Sequence, residues 1–321
     1  MVNWAFPDSL QPKQEKVNFD LATAFEAVVQ VRATIPEAAF TASILGTERV
    51  GNGVVIDESG LVLTIGYLIT EADSVWLTNA AGAVVPATVL AYDFATGFGL
   101  LLPLGKLAAP MLPRGNCAAA AIGDEVIVVS HGGREHTLTA TIADKREFAG
   151  YWEYVLDEAI FTTPPHPQWG GAALLDKDGQ LLGIGSLLVE DAVRGQLTRG
   201  NMIVPIDLIE PILPDLVKSG RSGHPPRPWL GMYTSETDGQ LVVVGIAPGG
   251  PADRVGVDVG DAVLQVGRVQ VGALAELFRE IWSLGGPGTQ IPLTLSRNGK
   301  TLDVRICSAD RSNFLFKPAL H

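Results

Sequence analysis

The pattern of hydrophobic and polar positions changes twice along this chain of 321 residues. Near the start, apolar side chains recur at helical spacing over 19–31 (FDLATAFEAVVQV), which predicts a short helix. From about residue 40 to residue 205 the pattern is that of short β-strands separated by turns. Hairpins are predicted around the DESG turn at 57–60 and the DKDG turn at 176–179. One such hairpin lies in each half of the region, which suits two similar β-barrels.

A second, smaller module follows a segment that is rich in Ser, Gly and Pro. Residues 219–228 (SGRSGHPPRP) have the composition of a linker. Beyond them, strands are predicted at 239–246 and 290–306, and an amphipathic helix at 273–284. The chain is therefore divided into an N-terminal segment (1–40), a β-rich domain (41–218), the linker, a small domain (229–310) and a tail (311–321).

Composition supports a globular, mainly β chain and limits its partners. Hydrophobic residues make up 47% and charged residues 18%, while Gly (36) and Pro (21) are numerous. The formal charge of -12 disfavours nucleic acid and anionic membranes as partners, because phosphate contacts need clustered Lys and Arg. The sequence has no run of 18 apolar residues, so no transmembrane helix is expected.

The cysteines and the N-terminal residues bear on the cellular compartment. Cys117 and Cys307 fall in different predicted domains, so we expect unpaired thiols, as in a reducing compartment. The first residues, MVNWAFPDSLQPKQEK, have neither the basic nor the apolar region of a secretory signal. We therefore expect a cytoplasmic protein.

Three segments of the β-rich domain carry the order and spacing of a known set of catalytic motifs. They are GNGVVIDESGLVLTIGYLIT, VPATVLAYDFATGFGLLLPL and PHPQWGGAALLDKDGQLLGIGS. Over roughly residues 40–215 the chain resembles the trypsin-like serine proteases of the HtrA/DegP type. The resemblance places Tyr67 at the position of the catalytic histidine, Gly97 at that of the aspartate and Trp169 at that of the serine. It implies a two-barrel, chymotrypsin-like domain.

The residues at these positions cannot perform triad chemistry. A serine triad needs a hydroxyl nucleophile, an imidazole base and a carboxylate that orients the imidazole. Tyr67 carries a phenol that is a poor base at neutral pH, Gly97 has no carboxylate, and the indole of Trp169 is no nucleophile. The resemblance also places an oxyanion-hole N–H at Pro167, which has none. We therefore expect that the chain is not a protease.

The small domain resembles the PDZ domains of HtrA-type proteins over about residues 227–307. The carboxylate-binding loop of these domains matches Trp229, Leu230, Gly231 and Met232, and the core motif matches the Pro-Gly-x-Pro-Ala turn that precedes Gly260-Asp261 in this chain. The resemblance implies that a C-terminal or extended peptide adds a strand to the domain. The facing helix would line the groove with Leu274, Leu277 and Phe278, and Trp229 is expected to pack the loop rather than touch the ligand.

Other candidate residues are given structural roles. His131 and His136 lie in a Gly-rich stretch without carboxylates at metal-ligand spacing, and His166 is expected at the surface. Ser130 and Ser186 do not stand in a nucleophile-like turn. We expect neither a metal nor a cofactor.

Trp169 has two interpretations. The ring would either fill the vacated cleft, which is favoured, or serve as an exposed anchor for a partner.

The preferred function is that of a non-catalytic peptide- or protein-binding adaptor, scaffold or complex subunit. Two alternatives stay open: a hydrolase that uses unrecognised residues, and a purely structural subunit of a larger complex. Proteins of this type are commonly trimers held by N-terminal aromatic residues. A homotrimer is therefore predicted from Trp4, Phe6, Phe19 and Phe25.

Overall fold

The structure is a computed structural model that describes residues 4–316, and the chain divides into two compact units. The first unit holds the residues up to Arg146, Glu158–Gly223 and Phe316. The second holds Glu147–Asp157 and His224–Leu315. Within residues 4–316, no helix has the length and apolar character needed to cross a bilayer.

The first barrel begins earlier than the sequence pattern suggests. Helix α1 spans only Leu21–Glu26, capped by Asp20, and strand β1 begins at Val28. The valines at 28, 29 and 31 are buried in the barrel and pair with β2, so the predicted helix ends five residues early. The barrel therefore starts at Val28 and not at residue 41, because a short apolar run satisfies either period.

Six strands close the first barrel in the order β1-β2-β3-β6-β5-β4. A short helix, α2, lies between the first two strands. The bounds are β1 Val28–Thr34, α2 Ala42–Leu45, β2 Glu48–Val55, β3 Val62–Ile65, β4 Ser74–Thr78, β5 Val84–Tyr92 and β6 Phe98–Pro103.

The second barrel repeats this design in the order β10-β11-β12-β9-β8-β7. Helix α3 follows its last strand. The bounds are β7 Glu125–Val129, β8 Thr137–Gly150, β9 Tyr154–Thr163, β10 Ala173–Leu175, β11 Leu181–Val189, β12 Gly200–Pro205 and α3 Leu213–Ser219.

The two predicted hairpins are present, one in each barrel, and their turns are built alike. Asp57 accepts hydrogen bonds from the N–H groups two and four residues later, and Asp176 does the same. Gly60 and Gly179 adopt φ values of 85° and 79°, which glycine reaches without steric cost. The same local chemistry thus turns the chain at equivalent places in both barrels.

The second unit is a sheet in the order β13-β14-β15-β17-β18, with β16 paired to β15. Helix α5 buries Leu277, Phe278 and Ile281 in the core of the unit. Strand β13 stands beside β14 at one end of this order, so it is an edge strand of the sheet. The bounds are β13 Met232–Thr237, β14 Gln240–Ile246, α4 Pro251–Arg254, β15 Ala262–Val266, β16 Val269–Gln270, α5 Leu274–Ser283, β17 Gln290–Arg297 and β18 Lys300–Cys307.

Candidate functional site

Tyr67 lies in a single 3-10 turn, Gly66–Leu68, directly after β3. The buried guanidinium of Arg49 holds this turn, since its Nη1 donates to the carbonyl oxygens of Tyr67 (2.7 Å) and Thr70 (3.0 Å). A side chain on Gly66 would collide with the ring of Tyr92, 2.0 Å from its Cβ position. The backbone at position 67 is therefore fixed from several sides.

Gly97 is hydrogen-bonded to Gly66, the residue that precedes Tyr67. The N–H of Gly66 donates to the carbonyl oxygen of Gly97 at 2.7 Å, and the N–H of Gly97 donates to Asp93 at 2.8 Å. Gly97 has a φ of 80°, which side-chain-bearing residues seldom adopt. The structure thus brings positions 67 and 97 together at the ends of β3 and β6.

The loop between β9 and β10, which carries Trp169, is bound to the first barrel by Asn52. The side-chain amide of Asn52 donates to the carbonyl oxygens of Gln168 (2.9 Å) and Gly170 (3.1 Å), and its backbone N–H donates to Gly170 at 2.8 Å. A Cβ atom on Gly171 would lie 1.8 Å from the carbonyl oxygen of Asn52. This close approach requires glycine.

Tyr67 joins the two barrels at the point where the three positions meet. Its hydroxyl donates to the carbonyl oxygen of Ser186 on β11 at 2.8 Å. Burial raises the pKa of Tyr67 above its ordinary value, and a hydrogen bond with the Trp169 side chain opposes that shift. The phenol is therefore protonated at neutral pH and engaged on both sides. Trp169 is half-buried, and its contact with Tyr67 favours the cleft-filling interpretation over an exposed anchor.

The position that the resemblance assigns to the oxyanion hole lies in the same loop. Pro167 is exposed and has no N–H to donate. The next N–H along the chain, that of Gln168, donates to Nδ1 of His166 at 3.0 Å. This segment of the loop therefore turns its backbone donor away from the cleft and into the protein.

His166 is fully buried, so the prediction of a surface histidine is wrong. Its Nδ1 accepts from Gln168, and its Nε2 lies 2.9 Å from the carbonyl oxygen of His136, so the ring is the neutral Nε2–H tautomer. Burial lowers the pKa of His166 to about 4. The ring packs against Phe6 at 5.0 Å, and Trp4 stacks on His136 at 4.5 Å. The sequence did not indicate that these N-terminal aromatic residues would cover His166.

The serines singled out above have no basic partner. The hydroxyl of Ser130 donates to the carbonyl oxygen of His136 (2.9 Å) and lies near Gln168. Nε2 of His131 lies 3.4 Å from the carbonyl oxygen of Asn79. Within residues 4–316, no serine hydroxyl and no cysteine thiol is hydrogen-bonded to an imidazole.

The predicted peptide site lies in the second unit. Trp229 is buried and packs on Phe314 at 4.8 Å, which is the expected packing role. The backbone N–H groups of the next three residues, Leu230, Gly231 and Met232, converge on one carboxylate, that of Glu153.

The side chains predicted to line the peptide groove are buried. The core of the second unit contains Leu230, Met232, Leu274, Leu277 and Phe278. The lining of a groove by the last three of them stays a prediction.

Glu153 is the functional candidate that the sequence did not reveal. Loss of hydration raises the pKa of Glu153 to about 7, against the effect of the loop N–H groups and of Arg311. The only local signal is a single acid among the aromatic residues of YWEY.

Comparisons with known proteins agree with this architecture. The sequence pattern of the family described as trypsin-like peptidase domain matches residues 51–184, and that of the PDZ domain matches residues 228–307. The serine endoprotease DegS of Haemophilus influenzae is 25% identical over 273 residues, covering 82% of this chain and 77% of that protein. A periplasmic serine endoprotease of Chlamydia pneumoniae, described as DegP-like, is 23% identical over 274 residues; the alignment covers 80% of this chain but only 54% of that protein.

A solved structure of the HtrA-type protease AlgW with a decapeptide has the same fold. It superposes with a TM-score of 0.53 at 19% identity, over 91% of this chain and 99% of that one. The fold, the two domain patterns and the DegS relatives point to one assignment. The chain has a trypsin-like peptidase domain of mainly β, two-barrel architecture followed by a PDZ domain, and over both domains it is similar to the HtrA type of serine protease.

Proposed function

We propose that this chain is a non-catalytic member of its family, which binds a peptide or protein and acts as an adaptor, scaffold or complex subunit. One observation carries the proposal. The three positions that the resemblance assigns to the triad lie close together, and they hold the phenol of Tyr67, the hydrogen of Gly97 and the indole of Trp169. None of these groups supplies a nucleophile, a base or a carboxylate.

The loop geometry supports the same proposal. Stabilisation of a tetrahedral oxyanion needs backbone donors that point into the cleft. Pro167 offers none, and the N–H of Gln168 is bonded to His166. A nucleophile introduced at position 169 alone would therefore act without a base and without a complete oxyanion hole.

The binding half of the proposal rests on the loop of the second unit. Three successive N–H groups at Leu230, Gly231 and Met232 converge where a carboxylate is held. Beside them, β13 is an edge strand of the sheet, the position to which a peptide adds a strand. The AlgW structure with a decapeptide is an example of a related protein that binds peptide.

The test of inactivity uses the purified full chain. We expect no cleavage of casein and no labelling by a serine-directed fluorophosphonate, for the unaltered chain and for Trp169→Ser alike. The matched control is Ser130→Ala, which alters the buried serine nearest the loop. Proteolysis by the unaltered chain that disappears in Ser130→Ala, or in another single Ser or Cys variant, would overturn the proposal in favour of a hydrolase.

Assembly and compartment belong to the same proposal. We expect a homotrimer in the cytoplasm, with the N-terminal aromatics contributing to assembly. Trp4 and Phe6 already pack on the histidines of their own chain. Light scattering that gives a monomer mass, unchanged by deletion of residues 1–18, would contradict the trimer. Co-purification with one partner at fixed stoichiometry would favour a structural subunit over a transient peptide binder.

A further inference from the structure

The carboxylate-binding loop of the second unit already holds a carboxylate from the same unit. Oε1 of Glu153 accepts hydrogen bonds from the N–H groups of Leu230 (3.1 Å), Gly231 (2.9 Å) and Met232 (3.3 Å). Glu153 lies at the turn between β8 and β9, in the segment Glu147–Asp157 that belongs to the second unit. Three N–H donors that converge on one oxygen form a site suited to a carboxyl group.

The residues before Glu153 run along the edge of β13 that does not pair with β14. The carbonyl oxygen of Tyr151 accepts from the N–H of Thr234 at 3.2 Å. Glu153 is two positions after Tyr151, whereas Met232 is two positions before Thr234, so the segment runs antiparallel to β13. This is the register in which a peptide ending at the loop would add a strand, with its terminal carboxylate in the place of Glu153.

Several further contacts fix this segment within the unit. Nη1 of Arg311 donates to the carbonyl oxygen of Trp152 at 3.3 Å. Arg279 of α5 is paired with both Glu147 and Asp157, which flank the turn. Val155 is buried in the core of the unit, beside the side chains of the loop. The segment is therefore part of the unit and is not a loose end beside it.

The backbone at the turn is shaped for this contact. Glu153 has a φ of 62°, in the left-handed region that residues with a long side chain seldom occupy. Such a conformation persists when surrounding contacts impose it, and it directs attention to function. Here the imposed feature is the entry of the carboxylate into the loop.

We infer that Glu153 occupies the peptide site of its own PDZ domain, so that a peptide with a free C-terminal carboxylate binds only by displacing it. The inference rests on the proposed peptide-binding function and adds its regulation and its ligand class. The ligand must end in a carboxylate and extend along β13, because it replaces both the three-donor contact and the bond to Thr234. The apparent affinity of the unaltered chain is the intrinsic affinity multiplied by the fraction of molecules in which the loop is open.

The experiment measures peptide affinity on the full chain. The probe is a fluorescein-labelled hexapeptide with the sequence Phe-Ala-Gly-Tyr-Trp-Ala, in free-acid and amidated forms, followed by fluorescence anisotropy. Glu153→Ala should bind the free acid roughly 10- to 100-fold more tightly than the unaltered chain, as expected when the open state is a minor population. Glu153→Gln keeps the length of the side chain and should show a smaller gain. Glu158→Ala, which alters an acid of β9 that pairs with Lys145 and does not contact the loop, is the matched control and should leave the affinity unchanged.

Amide hydrogen exchange gives a readout that needs no ligand. The N–H groups of Leu230, Gly231 and Met232 should be protected in the unaltered chain and should lose protection in Glu153→Ala, while other strands of the unit stay protected. This comparison also establishes that the variant is folded.

The outcomes separate the inference from the proposed function. If the free acid binds all variants with one affinity, the inference is overturned and peptide binding stands. If the loop amides exchange freely in the unaltered chain, the inference is likewise overturned. If protection is lost in Glu153→Ala but neither peptide form binds any variant, peptide binding is contradicted and the occupancy of the loop is supported.

Discussion

The hydroxyl of Tyr67, in the first barrel, donates a 2.8 Å hydrogen bond to the carbonyl oxygen of Ser186, in the second. The position that the resemblance assigns to the catalytic base thus holds a connection between the two barrels. Burial raises the pKa of this phenol, so the proton that makes the bond is retained over the whole physiological range. A side chain in this role is retained for stability and not for proton transfer.

Tyr67→Phe should therefore lower the free energy of unfolding. The variant should cleave casein no more than the unaltered chain does. Loss of one partly buried hydrogen bond costs about 0.5–1.5 kcal/mol. Urea unfolding followed by circular dichroism measures the change. Tyr151→Phe, at an exposed ring, is the matched control and should stay within about 0.5 kcal/mol of the unaltered chain. Equal stability of the Tyr67 variant and the control would contradict a bracing role.

Restoration of the triad should fail without restoration of the oxyanion hole. The triple variant Tyr67→His, Gly97→Asp, Trp169→Ser supplies the side chains, but Pro167 still leaves one donor missing. One such donor is worth roughly 10²–10³ in rate. Addition of Pro167→Gly should raise fluorophosphonate labelling by a factor of that order over the triple variant.

Gly97 adds a second obstacle to this restoration. Its φ of 80° is unfavourable for an aspartate, by about 1–2 kcal/mol. Gly97→Asp alone should therefore lower the melting temperature. Strong labelling of the single variant Trp169→Ser would contradict the whole description of the site.

Arg49 should be among the most sensitive positions of the first barrel. Its buried guanidinium donates to the carbonyl oxygens of Gly46, Tyr67 and Thr70, and burial lowers its pKa. Arg49→Met would leave these acceptors unpaired and should cost about 3 kcal/mol or more. Arg49→Lys should not restore stability, because the single ammonium group of lysine cannot reproduce the planar set of N–H donors of the guanidinium. Arg32→Met, which breaks the exposed pair with Glu48, is the control and should cost less than about 1 kcal/mol.

His166 should make the fold sensitive to acid. Its pKa is about 4 in the folded chain against an ordinary value of 6.5, so the unfolded chain binds the proton first as the pH falls. The contribution of the neutral ring is complete above pH 6.5 and is lost progressively toward pH 4. The loss amounts to about 3 kcal/mol at about 1.4 kcal/mol per pKa unit.

Unfolding midpoints at several pH values test this expectation. His166→Gln should lower stability at neutral pH and flatten the profile between pH 6.5 and pH 4. His224→Gln, at an exposed histidine, is the control and should keep the slope of the unaltered chain. An unchanged slope in the His166 variant would show that other groups set the acid limit.

Peptide affinity should rise with pH through the titration of Glu153. Its pKa is about 7 when the carboxyl lies in the loop and 4.5 when it is free, so protonation favours the occupied state. Occupancy is therefore weakened as the pH rises toward 7, and a peptide carboxylate, ionised throughout, competes better above that value.

Charged and titratable side chains close to Glu153 also bear on its pKa. The positive charge of Arg311 lowers the pKa of Glu153, while burial raises the pKa of the neighbouring Tyr233, which therefore stays neutral in this range. The affinity of the unaltered chain for the free-acid peptide should rise roughly tenfold or more from about pH 5.5 to about pH 8. Glu153→Ala should show no such rise, and a parallel rise in both would contradict the assignment.

The sequence predicted the parts of the fold that local chemistry determines. The turns at Asp57 and Asp176 carry their own hydrogen-bond acceptor and their own glycine, so their position could be read from the letters alone. The assignment of Tyr67, Gly97 and Trp169 to the three triad positions stays a prediction from the resemblance, although the structure does place Tyr67 in contact with Trp169 and joins Gly66 to Gly97 by a hydrogen bond. Helix α5 was predicted to within one residue at each end.

What the sequence did not predict depends on distant partners. His166 was placed at the surface because nothing near it in the sequence indicates that Trp4 and Phe6 would cover it. Glu153 lies 77 residues before Leu230, and no periodicity relates an acid in a turn to three backbone donors so far along the chain. Val28 was assigned to a helix because a short apolar run fits either period, and the pairing with β2 decided the outcome.

The division of the chain into two units has a consequence for how the PDZ domain can be isolated. Its residues come from two stretches of sequence, His224–Leu315 and the earlier Glu147–Asp157, so the domain is discontinuous. A fragment cut in the linker would lose the earlier stretch, expose the loop donors at Leu230, Gly231 and Met232 to water, and remove Val155 from the core. Affinities measured on such a fragment would describe a receptor from which its resident ligand had been excised.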